Sequence, residues 1–164
     1  MHAFQRQESR QTLAEGIMEY FAANPDLAQA RDMSPQARHF FACHDVVHVV
    51  FGCGTSLDDE AVVKTASLFG TTAGLAVLRG YRLHESLQIY RQLRVAAVLL
   101  SIAHSVTIVP RTIVRCLGQR ARWPWSDHQR FLDTPLHEIR QAFGIKVAHI
   151  DNAQDTHAVS KPGS

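Results

Sequence analysis

Only three cysteines, Cys43, Cys53 and Cys116, occur in the 164 residues, and none belongs to a CxxC pair. An odd, scattered set excludes a disulfide framework and fits free thiols in a reducing compartment. The opening residues MHAFQRQESRQ lack the apolar core of a secretory signal and carry Glu8, so a cytosolic location is expected. A membrane-spanning stretch is also missing. The longest apolar run, VAAVLLSIAHSVTIVP over 95–110, is shorter than the roughly 20 residues a spanning helix needs. Ser101, His104, Ser105 and Thr107 interrupt it, and a buried helix is the better reading. No segment alternates apolar and polar residues as a half-buried strand would. The net charge of +2 gives no ground for nucleic-acid binding.

What is present suits one folded domain. Apolar residues make up 46% and charged residues 20%, enough for a core of ordinary size. The expectation is a single all-α domain over 1–150, a helical bundle with one long buried helix, followed by a polar, disordered tail over 151–164. Charge is unevenly spread. Residues 86–126 contain no acid, yet hold Arg91, Arg94, Arg111, Arg115, Arg120 and Arg122.

Helical spacing of Leu13, Ile17, Tyr20 and Phe21 predicts a first helix over 7–23, stopped by Asn24-Pro25. A short helical turn is expected within 26–33. Ser34-Pro35 reads as an N-cap and first helical residue, opening a helix that ends near Gly52. Ser56 and Asp59 resemble a capping box for the next helix, expected to reach about Arg79. Its Ala66, Gly70 and Gly74 form a small-residue stripe, read chiefly as helix packing. A long helix over 83–109 follows, bent or broken at Pro110 and continuing over 111–119. A last amphipathic helix spans 132–143, with Gly144 as its C-cap.

The stretch HDVVHVVFGCGTSLDDE, residues 44–60, carries the chemistry. His44 and His48 are four apart and share a helix face. The Gly-rich turn after Phe51 can return the next helix start, with Glu60, toward them. Val46, Val47, Val49, Val50 and Phe51 indicate burial, and unpaired polar groups are costly there. A shared divalent cation satisfies them all. His44, His48 and Glu60 are the expected ligands. Asp45, about 100° around the helix, is a fourth ligand, a hydrogen-bond partner for a ligand histidine, or a catalytic base. Nitrogen and oxygen donors suit zinc, iron or manganese better than magnesium. His39, His84, His128, His137 and His149 read as structural or surface residues, with His104 a possible pocket lining.

The pattern His44-Asp45-x-x-His48, eleven residues, then Glu60 resembles the signature of the coenzyme Q (ubiquinone) biosynthesis protein four family. The segment TPLHEIRQAFGI at 134–145 is similar to that family's C-terminal helix. The resemblance covers about 34–145 and looks like a short bacterial member. It implies an all-helical, usually dimeric protein, peripherally associated with the inner membrane and with other ubiquinone-synthesis proteins. It also implies a site usually assigned to zinc at His44, Asp45, His48 and Glu60. The implied activity is oxidative decarboxylation of a polyprenyl-benzoate precursor, or a scaffold role.

Helices over 61–78 and 95–109 could line a groove for an isoprenoid lipid. Arg115, Arg122, Trp123 and Trp125 suit anionic headgroups and the membrane interface, with a solvated basic face and two core tryptophans as the equal alternative. Two other functions compete: a non-catalytic lipid-binding scaffold, and a metal-dependent hydrolase of HD or HExxH-like type. The HD type needs further ligands, for which Asp127 and Asp133 are available.

Overall fold

The computed structural model describes residues 1–29, 34–80 and 95–148, with side chains described for all of these except 28–29 and 95–105. Among the described residues the fold is all-α, with two isolated bridge pairs and no strand. Six helices follow in order: α1 (Leu13–Ala23), α2 (Pro35–Phe51), α3 (Leu57–Phe69), the single turn α4 (Val77–Gly80), α5 (Val95–Leu117) and α6 (Leu136–Phe143). Short 3₁₀ turns sit at Ala3–Gln5, Pro25–Gln29, Gly74–Ala76 and His128–Phe131.

Helix α2 is the axis of the core, touching α1, α3, α6 and the first 3₁₀ turn. Its start is capped as expected: the Ser34 hydroxyl accepts from the Ala37 N–H at 3.2 Å, with Pro35 at the first turn. Its end is set by Gly52, at φ 69°, a left-handed conformation that glycine adopts without strain. A side chain there would also meet Val147 Cγ1 at 2.8 Å. Val46, Val47, Val49, Val50 and Phe51 are all buried, so the second half of α2 is enclosed nearly all round.

Helix α1 begins at Leu13 rather than at residue 7. Thr12 and Glu15 form a reciprocal capping box, Glu15 N–H to Thr12 Oγ1 at 3.2 Å and Thr12 N–H to Glu15 Oε2 at 2.8 Å. Helix α6 begins at Leu136 rather than 132, and another part of the chain caps it. Leu136 and His137 donate to the carbonyls of Gln11 and Ser9, while Leu13 and Ala14 donate to those of Thr134 and Leu132. Each helix start thus supplies acceptors for the other's orphan donors. Gly144 closes α6 at φ 69°.

Helix α3 stops at Phe69, ten residues short of expectation, because the chain turns aside to pair with the Trp123 loop. Thr71 bridges Trp123, Thr72 N–H donates to the Trp123 carbonyl at 2.9 Å, and Trp123 N–H donates to the Gly70 carbonyl at 2.8 Å. Gly74 is therefore outside the helix, which breaks the small-residue stripe. Ala66 and Gly70 remain at a packing contact: a Cβ on Gly70 would meet Cys116 Sγ of α5 at 3.0 Å. Helix α5 runs through Pro110 as one element. The carbonyl that loses its donor there belongs to Val106, which is exposed like Pro110, so water can serve it. The expected 83–94 portion of the long helix and the expected tail over 151–164 lie outside the described residues.

One side chain ties the ends of the fold together. Arg140 of α6 is fully buried. Its guanidinium donates to the carbonyls of Val49 and Val50 at 2.9 Å each, to Phe4 at 2.6 Å, and to Arg6 and Gln7. The two α2 carbonyls lie in its last turn, where the dipole favours a cation, and that of Val49 also accepts from Gly52 N–H at 3.2 Å. Burial pulls the Arg140 pKa down to about 10, leaving it charged at neutral pH.

Candidate metal centre

Helix α2 presents His44 and His48 one turn apart, and Glu60 arrives in the first turn of α3. The link between them is short because Gly52 reverses the chain. Cys53 N–H then donates to the His48 carbonyl at 2.8 Å, and Ser56 caps α3 by accepting from Asp59 N–H at 3.1 Å. The Ser56 hydroxyl in turn donates to the Asp59 carboxylate at 2.7 Å. That is a variant of the expected box, holding the start of α3 against the turn.

The three side chains converge. His44 Nε2 and His48 Nε2 are 3.2 Å apart, His48 Nε2 lies 3.2 Å from Glu60 Oε1, and His44 Nε2 lies 3.8 Å from Glu60 Oε2. One ligand atom from each falls within 4.8 Å of the others, so the group could hold a metal ion. For bonds of about 2.0–2.1 Å, the ligand-to-ligand edge of a zinc tetrahedron is about 3.3 Å. The observed spacings are of that size.

The neighbouring hydrogen bonds favour the same end. His48 Nδ1 lies 2.7 Å from the Gly54 carbonyl, which can only accept, so Nδ1 carries the proton and the Nε2 lone pair faces the centre. That lone pair meets Glu60 Oε1, another acceptor. A cation or an added proton must sit between two acceptors at this distance. Burial would raise the Glu60 pKa, but the His44 and His48 rings against it hold the carboxyl well below the usual range. Burial lowers the His44 pKa against the pull of Glu60. Aromatic rings wall both histidines: Tyr20 stacks on His48 with centroids 5.2 Å apart, and Phe40 on His44 at 6.2 Å. Burial, then Asp45 and Glu60, push the Tyr20 phenol above its ordinary range, so this wall is uncharged.

Asp45 stands beside this group, outside the three ligand atoms. It is half-buried. Burial pushes its pKa up to about 7, with His48 opposing and Glu60 adding to the shift. Its carboxyl therefore feels both neighbours. Lys64, one turn beyond Glu60, places Nζ 3.5 Å from Glu60 Oε2.

The remaining residues divide. Trp123 and Trp125 are 0% and 8% exposed, core residues packed against Phe131 and Phe143 and against Phe40 respectively. The expectation that they face a membrane interface is corrected accordingly: their rings are spent on the core. Arg122 is exposed, while Arg115 is half-buried and donates to the Ala148 carbonyl at 3.1 Å. His39 is exposed, and His128 and His137 are half-buried. His84, His149 and the side chain of His104 lie outside the described residues. Asp127 and Asp133 are exposed, Asp127 pairing with Arg130 at 3.2 Å, and neither joins the histidines. Gly54, Tyr20, Phe40 and Lys64 were not legible as parts of the site. Lys64 did leave a signal, since Glu60 and Lys64 have the i,i+4 spacing of a helical ion pair.

No helix among the described residues is long and apolar enough to cross a membrane. Comparison with protein-family models, curated proteins and solved structures gave no match.

Proposed function

We propose that the chain is a divalent-metal protein of coenzyme Q synthesis, centred on His44, His48 and Glu60. Its ligand would be a prenylated aromatic ring bearing a carboxylate. The metal part is supported by one observation above all: one ligand atom each of His44, His48 and Glu60 lies within 4.8 Å of the others, with His48 Nε2 3.2 Å from Glu60 Oε1. The quinone part is supported by the resemblance of HDVVH, eleven residues, then Glu60 to the ubiquinone biosynthesis protein four family. Zinc is the first choice of ion, with iron and manganese next.

Three protein ligands leave a position for a ligand oxygen. When bound, the ion supplies Lewis acidity at a carboxylate or ring oxygen. The chain's own groups do the rest. His44 and His48 are neutral donors held by their aromatic walls, Glu60 brings the one negative charge, and Asp45 holds or takes a proton from a neighbouring group. On this reading the protein is a metal-dependent decarboxylase, or the lipid-holding component beside one. The apolar tail would lie along α3 and α5. Homodimerisation, peripheral membrane contact through Arg115 and Arg122, and association with other quinone-synthesis proteins belong to the same proposal.

The HD-type hydrolase is disfavoured because Asp127 and Asp133 are exposed and apart from the histidines. The test is elemental analysis and lipid mass spectrometry on one preparation purified without chelator. One metal per chain, lost in His48→Ala, together with a co-purifying prenyl lipid, is the expected result. Metal content unchanged by His48→Ala removes the site, and absence of prenyl lipid and of liposome binding removes the quinone assignment.

A further inference from the structure

Side-chain exposure is graded across the centre. It rises from 1% at His48 and 9% at His44 to 28% at Glu60 and 34% at Lys64. Among the described residues the histidines are the enclosed end of the group, and the α3 side, with Glu60 and Lys64, is the more exposed. Glu60 Oε2 sits between the two, 3.8 Å from His44 Nε2 and 3.5 Å from Lys64 Nζ. A cation on the three ligands and the ammonium would thus flank one shared carboxylate oxygen on the more exposed side of the group.

We infer that Lys64 and the open side of the centre form an oxyanion subsite, with one oxygen of the ligand on the ion and another on the Lys64 ammonium. This inference rests on the metal reading above. The charges favour it. Two neutral imidazoles and one carboxylate under a divalent ion would leave one positive charge and Lys64 adds a second, so the group stays positive even when the neighbouring Asp45 is ionised. A neutral ligand gains nothing from the ammonium, whereas a carboxylate or phosphate oxygen meets two cationic partners. Lys64 is therefore a specificity residue, selecting anions over neutral donors of equal size. The alternative is that Lys64 only steadies Glu60. In that case its loss would weaken the metal site and every added ligand alike.

The two roles separate in cobalt(II)-loaded protein, whose visible spectrum reports each change in the ligand set. Wild type, Lys64→Met and Lys64→Arg are titrated with acetate, inorganic phosphate and neutral imidazole. Cobalt uptake should be equal in all three. Lys64→Met should weaken acetate and phosphate about tenfold, given a partly screened charge at this range. Imidazole binding should stay unchanged, and Lys64→Arg should keep most of the anion affinity. A larger loss for acetate would mark a carboxylate ligand, and a larger loss for phosphate a phosphoryl ligand. Unchanged anion affinity, or equal weakening of imidazole and the anions, overturns the subsite. Failure of wild type to take up cobalt removes the metal reading, and the subsite with it.

Discussion

Replacing Arg140 by Met should be among the most damaging substitutions available outside the candidate centre. The change keeps an unbranched apolar stem and deletes the guanidinium. Three buried bonds disappear, to the carbonyls of Val49, Val50 and Phe4. The Val49 carbonyl keeps the Gly52 N–H at 3.2 Å, while those of Val50 and Phe4 lose the guanidinium; at about 1–3 kcal/mol for each acceptor left buried, the gross loss is about 2–6 kcal/mol. Relief from burying a charge offsets part of that, and the net loss should be about 2 kcal/mol. For a domain whose whole stability is about 5–15 kcal/mol, that is a large share. Urea unfolding followed by tryptophan fluorescence is a suitable assay, since Trp123 and Trp125 are both buried. With a slope of about 2 kcal/mol per molar urea, the midpoint should fall by about 1 M. Arg140→Lys, keeping the charge but not the five-donor fork, should fall between the two. A midpoint within about 0.3 M of wild type for Arg140→Met, at unchanged slope, would refute the claim that this side chain holds the α2 end and the N-terminal segment together.

Three further outcomes follow from the geometry. Gly52→Ala should lower stability by at least about 1 kcal/mol in the same urea assay, since φ is 69° and Val147 Cγ1 lies 2.8 Å from the added Cβ. Zinc at about one hundred times its dissociation constant should stabilise the protein by about 2.7 kcal/mol and raise Tm, and in His48→Ala the rise should vanish; an equal rise would show binding elsewhere. Burial raises the Glu19 pKa, but bonds from Ala3 N–H, the Gln11 side chain and Phe4 N–H outweigh it and bring the pKa below 4.5. A lowered carboxyl contributes stability that is complete above the unfolded value and lost as pH falls through the folded one. Glu19→Gln should therefore flatten the acid limb of an unfolding curve below about pH 4.5, with little change in its slope above that; an unaltered acid limb would refute the role.

Local signals in the chain were legible where the physics is local. Ser34-Pro35 and Gly52 bounded α2 because capping and left-handed φ depend on the residue at that place. The spacing of His44, His48 and Glu60 was legible for the same reason, since two positions share a helix turn and a short turn returns the third. What the pattern hid was set by distant partners. Helix α3 ends early because of Trp123, more than fifty residues on, and α6 starts late because Ser9 and Gln11 serve its first donors. Arg140 looked like any surface arginine in an amphipathic helix, yet its acceptors lie about ninety and about 130 residues away. The Thr12–Glu15 box was readable, yet the helix was expected to start at residue 7, ahead of it, in a stretch with no apolar residue.

The order in which the chain is made gives the centre a further property. All three ligands are present once the first sixty or so residues have left the ribosome, because they occupy one helix–turn–helix segment. The groups that later enclose them come much further along: Trp125 behind Phe40, and Arg140 on the carbonyls next to His48. A nascent chain can therefore offer its donors to an ion while they are still open to solvent. Afterwards His48 is only 1% exposed. If the centre holds an ion, loading during synthesis and exchange in the finished protein would be separate events, the second much the slower.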